Sequence, residues 1–244
     1  MPTCRLLSYA VADGPHNMAA DEVLLESAAA GTASLRLYGW SEATLSLGYF
    51  QPERLRHTDA RLAELPFVRR PSGGDALVHH HELTYALALP AGAPWHGKEP
   101  WARRMHLIIA EALAELGVPA RLHLPSPQSP RFSGLLCFHH WTAGDLIVGV
   151  GKVVGSAQRR RSGALMQHGA ILLAGSPYTP SLPGIRELTG RTLTVEETEA
   201  AVLRQFARET GWDLVASNWG PDEQRRIEEL AVGKYGQDAW NRKR

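Results

Sequence analysis

Two cysteines, Cys4 and Cys137, are all that this chain of 244 residues contains. That excludes a disulfide framework, and their separation excludes the close pairs that hold structural zinc. Such sparing use of cysteine fits a reducing, cytoplasmic setting. Long apolar runs are also missing. None approaches the ~20 residues of a membrane span, and the opening MPTCRLLSYAVADGP lacks the apolar core of a secretory leader. Nor is there an excess of one charge. Lys plus Arg number 26 and Asp plus Glu 25, for a formal net charge of +1. Neither a membrane nor nucleic acid is therefore an expected partner. Repeats and internal linkers are absent too, so residues 1–244 are expected to form one domain.

What is present alternates between strand and helix. LLSYA reads as a short strand, and HNMAADEVLLESAAAG as a helix capped by Asn17, with Asp21 and Glu22 in its early turns and Gly31 at its end. SLRLYGW, TLSLGYF, FVRR and LTYALALP read as strands. In EPWARRMHLIIAEALAELG, apolar residues recur at helical spacing from Trp101 to Leu116. LPSPQSPRFSG reads as a surface loop, and GDLIVGVGKVVGSAQ as a hairpin turning at Gly149–Gly151. ALMQHGAILL is another strand. TVEETEAAVLRQFARETG has a capping box at Thr194 and Glu197, PDEQRRIEELAVGKYG is a last helix, and QDAWNRKR a basic tail. The pattern implies an α+β fold, with a mixed, largely antiparallel sheet flanked by helices.

Three segments can carry chemistry. In RRPSGGDALVHHH, Gly73 and Gly74 allow close approach to the backbone. Arg69 and Arg70 should point to opposite faces, so that one faces a site. The competing reading is a tight turn with solvated arginines. His79, His80 and His81 follow on extended chain, where neighbouring side chains diverge, so the triplet makes a poor metal site and no metal is expected. In LLCFHHWTAGDLIVGVGKVVGSAQRRR, Cys137 precedes Lys152 by fifteen residues. It is either a nucleophile beside a cation or a buried thiol near a surface lysine. In MQHGAILL, His168 and Gly169 lie within an apolar strand, where glycine can mark close approach of a ligand.

Together, NMAADEVLL, LRLYGWSEATLSLGYFQ, RRPSGGDALVHHHELTYALALP, GDLIVGVGKVVGSAQRRRSGALMQHGAILL and KYGQDAWNRKR resemble the lipoate–protein ligase and octanoyltransferase family, which shares its catalytic fold with biotin–protein ligase. The resemblance implies an acyl pocket over the sheet, lined by Arg70, Ser72, Gly73, Gly74, His79, Gly155, Ser156, Ala157, His168 and Gly169, with Lys152 at the acyl carbonyl. Cys137 ahead of the lysine hairpin resembles the cysteine octanoyltransferase branch, and no separate C-terminal accessory domain is expected. The chain departs from the family pattern at Asp75, His80, His81 and in the residues after Cys137–Phe138.

The resemblance implies that Cys137 takes octanoyl from acyl carrier protein as a thioester. It then passes the group to a lysine of a lipoyl carrier domain, such as glycine cleavage H protein or the acyltransferase subunit of a 2-oxoacid dehydrogenase. No cofactor is expected. His79 or His140 are candidate bases, and Arg159, Arg160 and Arg161 either meet an acidic carrier or are a solvated turn. The alternatives are a lipoate ligase using ATP and Mg, an amidotransferase between carriers, and a binding protein without turnover.

Overall fold

The computed structural model describes residues 1–124 and 135–244. The expected loop at residues 125–134 therefore lies outside the described residues. The strands are β1 (Thr3–Ala12), β2 (Ser34–Trp40), β3 (Thr44–Leu47), β4 (Phe67–Arg69), β5 (Leu77–His79), β6 (Glu82–Leu89), β7 (Arg121–Leu122), β8 (Leu146–Val148), β9 (Gly151–Arg161), β10 (Ala164–Leu172) and β11 (Asp213–Ser217). The helices are α1 (Gly14–Ala29), α2 (Ala60–Ala63), α3 (Trp101–Glu115), α4 (Ile185–Thr189), α5 (Val195–Thr210), α6 (Pro221–Leu230) and α7 (Asp238–Asn241).

Among the described residues, eight strands form one sheet in the order β11-β1-β2-β6-β10-β9-β8-β7, and β4-β3-β5 form a second. Only the β11–β1 and β1–β2 pairs of the large sheet are parallel. The expected mixed, largely antiparallel sheet flanked by helices is what the chain forms.

The large sheet is covered on both faces, and side-chain size decides which helix lies where. On β6, Leu83, Tyr85, Leu87 and Leu89 join Met105, Ile109 and Leu113 of α3 and Phe206 of α5 in one core. The alternate residues Ala86 and Ala88 face Leu24, Leu25 and Ala28 of α1, where small side chains let the helix approach. All of β6 is therefore buried. Ile109 is fully buried on the apolar stripe of α3, and Ile109→Ala is expected to cost roughly 2–5 kcal/mol.

The α1 cap differs from expectation. Asp13 is the cap, accepting from His16 N at 2.9 Å. Asn17 lies inside the helix, where its side chain donates to Ala12 O and Gly39 O, both at 3.0 Å, and stitches α1 to β2. The basic tail is not a tail either. It forms α7, which docks on β4: Asn241 Oδ1 accepts from Arg69 N at 2.8 Å, and Asn241 O from Arg69 Nη2 at 2.8 Å. Among the described residues no helix is long and apolar enough to cross a membrane.

Candidate active site

The small sheet stands over β6, β10 and β9, and a cleft with about 470 Å³ of empty space, its mouth included, lies between them. Three pieces of chain converge on it.

The first is the hairpin β8–β9. Lys152, its second residue on β9, is only 4% exposed. Its Nζ lies 2.8 Å from Asp145 Oδ2 and 3.3 Å from Cys137 Sγ, and donates to His140 O at 3.3 Å. Burial alone would lower the pKa of this ammonium. The charges of a Cys137 thiolate and of Asp145 outweigh it and hold the pKa above the ordinary lysine value. Gly155 provides the space, since a Cβ there would stand 2.6 Å from Lys152 Cε. Cys137 opens a short 3-10 turn, and its N–H donates to Ala76 O at 2.8 Å, which ties the thiol beside the glycine loop. The two thiols contrast. Burial pushes Cys4 up to about 12, so it remains a thiol in the core. Cys137 lies on the cleft wall.

The second piece is the arginine–glycine loop. The arginines do part to opposite sides, but neither is solvated. Arg69 is fully buried, and among the described residues its guanidinium donates to main-chain carbonyls, including Gly48 O at 2.9 Å and Gln51 O at 2.7 Å. Arg70 faces the cleft, yet its guanidinium is committed. Nη1 donates to Ser46 O and Oγ at 2.9 and 2.8 Å, and Nη2 to Gly73 O and Asp75 O at 3.1 and 2.9 Å. It clamps the loop rather than standing open for an anion. Gly48 allows the loop to close, because a Cβ there would fall 1.7 Å from Gly74 O. Asp75, one of the departures from the family pattern, lines the cleft and accepts from Gln51 Nε2 at 3.3 Å.

The third piece is a pair of hydrogen-bonded chains. Ser72 Oγ donates to His168 Nε2 at 2.5 Å, and His168 Nδ1 donates to Asp21 Oδ2 at 2.8 Å. Tyr38 OH and Arg36 Nη1 also donate to Asp21. In parallel, Ser46 Oγ donates to His79 Nε2 at 2.7 Å, and His79 Nδ1 to Glu82 Oε1 at 2.5 Å. The carboxylates select the tautomers: each holds the Nδ1 proton and leaves Nε2 to accept from serine. Trp40 stacks on His79 with ring centroids 3.8 Å apart. Burial lowers the His79 pKa, against the pull of Glu82. These buried chains stiffen the wall, with Glu82 Oε2 left as a buried acceptor that has no hydrogen-bond partner among the described residues.

Arg70, Gly74, His79, Cys137, Gly155, Ser156, Ala157, His168 and Gly169 all line the cleft. Lys152, Ser72 and Gly73 stand just behind it and act on residues that line it. His80 and His81 leave it. Their rings stack on each other at 3.7 Å, because the extended strand β5 ends at His79 and alternation ends with it. The exposed run Arg159–Arg161 closes β9, with Arg161 paired to Glu26 at 3.1 Å. Asp21, Ser46, Glu82 and Asp145 are partners of the cleft residues that the sequence reading did not place at the site.

A family model described as the lipoyl protein ligase A/B catalytic domain matches residues 13–179. An octanoyltransferase LipM from Symbiobacterium thermophilum is 34% identical to the chain over 97% of each protein. Another, from Geobacillus kaustophilus, is 32% identical over 93% of this chain and 94% of its own. Among solved structures, lipoate-protein ligase A bound with ATP superposes with a TM-score of 0.79 at 21% identity, covering 99% of each chain. At that identity the likeness shows a shared fold.

Proposed function

This chain belongs to the lipoyl protein ligase A/B catalytic-domain family, and from that premise we propose that it is an acyltransferase which moves octanoyl from acyl carrier protein through Cys137 to a lysine of a lipoyl carrier domain. The observation that carries this reading is the 3.3 Å approach of Lys152 Nζ to Cys137 Sγ at the cleft. It is supported by full-length relatives named octanoyltransferase.

In the first step the Cys137 thiolate attacks the carbonyl carbon of the octanoyl thioester. The C–S bond to the carrier breaks, and the carrier leaves as a thiolate that takes a proton from solvent. The Lys152 ammonium, held in place by Asp145, supplies positive charge to the oxyanion as it forms. In the second step the acceptor amine, entering as its neutral base, attacks the thioester carbonyl. An amide forms, the Cys137 thiolate is expelled, and the surplus proton passes to solvent. Thioester to amide runs downhill, so neither step calls for ATP or a metal. Both ring nitrogens of His79 are engaged by Ser46 and Glu82, which suits a wall residue better than a base. Arg70, Ser72, Gly73, Gly74, Ser156, Ala157, His168 and Gly169 shape the acyl chamber in this reading. The ligase alternative rests on the shared family model and a fold likeness, whereas the full-length relatives are named octanoyltransferases.

The test is the intact mass of the protein after incubation with octanoyl-acyl carrier protein in the absence of ATP. The expected result is one octanoyl adduct, labile to hydroxylamine and lost in Cys137→Ala. Carrier modification that requires free octanoate and ATP, with no adduct on the enzyme, would replace this reading by a ligase.

A further inference from the structure

Two cavities share a wall at Leu77. Near Cys137 the main cleft is lined by Phe138, Leu77 and Ala170. A second hollow, with about 290 Å³ of empty space including its mouth, is lined by Val78, Leu172, Ala174 and Leu182, and again by Leu77, with His81, Ser176 and Thr179 as its polar members. Leu77 is thus common to both walls. The other wall changes hands along one strand: on β10, His168 and Ala170 line the cleft and Leu172 lines the hollow. Alternate residues of a strand share a face, and each such step advances ~6.8 Å. The β10 side of the wall therefore turns from imidazole to hydrocarbon as it passes from one cavity to the next. Phe138, Ala170, Leu172 and Leu182 belong to one buried apolar cluster, and both Cys137 and Leu77 pack against it. Register sets the position of Leu77. It pairs with Ser46 across β3–β5, two residues before His79 and on the same face.

We propose that Leu77 limits the length of the acyl chain that Cys137 accepts, by standing between the cleft and the hollow behind it. This inference rests on the acyl-transfer reading and adds its specificity determinant. A chain too long for the cleft meets the Leu77 side chain. With that side chain shortened, the extra methylenes gain contact with Val78, Leu172 and Leu182 instead of being turned back toward water.

The experiment uses the full chain and acyl carrier protein loaded with octanoyl, decanoyl or dodecanoyl, and reads the rate of Cys137 acylation by intact mass. For the unaltered protein, kcat/KM is expected to fall by about tenfold or more from octanoyl to dodecanoyl. Leu77→Ala narrows that gap by about tenfold, and adding Leu182→Phe, which refills the hollow, restores it. Leu77→Val, one methylene shorter, keeps most of the packing and shows the same trend with decanoyl if the alanine variant fails to fold. A flat chain-length profile in the unaltered protein, or an unchanged gap in both Leu77 variants, overturns the role of Leu77. No adduct on the unaltered protein from any of the three donors removes the acyl-transfer reading, and this inference with it.

Discussion

The Lys152 ammonium lies 2.8 Å from the Asp145 carboxylate, with side chains 2% and 5% exposed. A pair buried this deeply is costly to break from one side, because the remaining charge is stranded. Asp145→Asn is expected to lower stability by about 3 kcal/mol, measured as a lower urea midpoint. The double variant Asp145→Asn with Lys152→Met removes both charges and should recover most of that loss. Neither should acylate at the normal rate: the single variant leaves the Lys152 ammonium without its anchor, and the double variant lacks this oxyanion donor, whose removal costs about 10²–10³ in kcat.

Cys137→Ala is expected to abolish the acyl adduct and reduce turnover by at least about 10⁴-fold. Cys4→Ala should keep the adduct, because Cys4 is a buried core thiol. Adduct mapping by peptide mass spectrometry separates the two sites.

At Gly155 a methyl group would stand 2.6 Å from Lys152 Cε and 3.0 Å from Nζ. Asp145 anchors the lysine, so the ammonium cannot retreat without losing its partner. Gly155→Ala is expected to slow acylation by roughly 10²-fold, the effect of a displacement of about 1 Å in a catalytic group. Circular dichroism should show the fold retained.

Stability should decline in mild acid. Burial lowers the pKa of both His79 and His106, against the opposing pulls of Glu82 on the first and of Gly144 O and Asp145 on the second. Each therefore binds its proton more readily in the unfolded chain. Their contribution is complete above the unfolded value of about 6.5 and is lost as pH falls below it toward the depressed folded pKa. The slope reaches at most ~1.4 kcal/mol per pH unit for each histidine. His16, raised against its own burial by Asp13 and Glu228, works in the opposite direction. Urea titrations between pH 7 and 5 should show the decline, and His106→Gln should reduce its slope.

Much of this was legible because local rules and site chemistry coincided. The Gly149–Gly151 turn implied a hairpin, and the hairpin brings Lys152 to Cys137. Parting of side chains along a strand implied that one arginine would face the cleft, as Arg70 does. The residues that were missed act across the fold. Asp21 reads as a helix-dipole residue, but its spacing with Met18 and Leu25 puts it on the buried stripe, where a carboxylate needs a partner. That spacing was the available signal. Asp145 stands directly before an apolar strand and Glu82 between a histidine triplet and another, both odd places for an acid. Ser46 carried no such signal, since its role depends on β5 pairing with β3. The capping of α1 was misread by one helical turn because Asn17 and Asp13 both suit a cap, and only tertiary contacts with β2 separate them.

The grip of Asn241 on Arg69 has a consequence for how the protein is made. The two residues are 172 apart in sequence. At ribosomal rates, on the order of 10 s pass between synthesis of the first and the second. During that interval the Arg69 guanidinium lacks its acceptors on α7, and the loop it also holds through Gly48 O and Gln51 O has no complete anchor. The chamber wall is thus among the last parts of the molecule that can close. A nascent chain stalled before residue 241 should carry its thiol without a finished pocket around it.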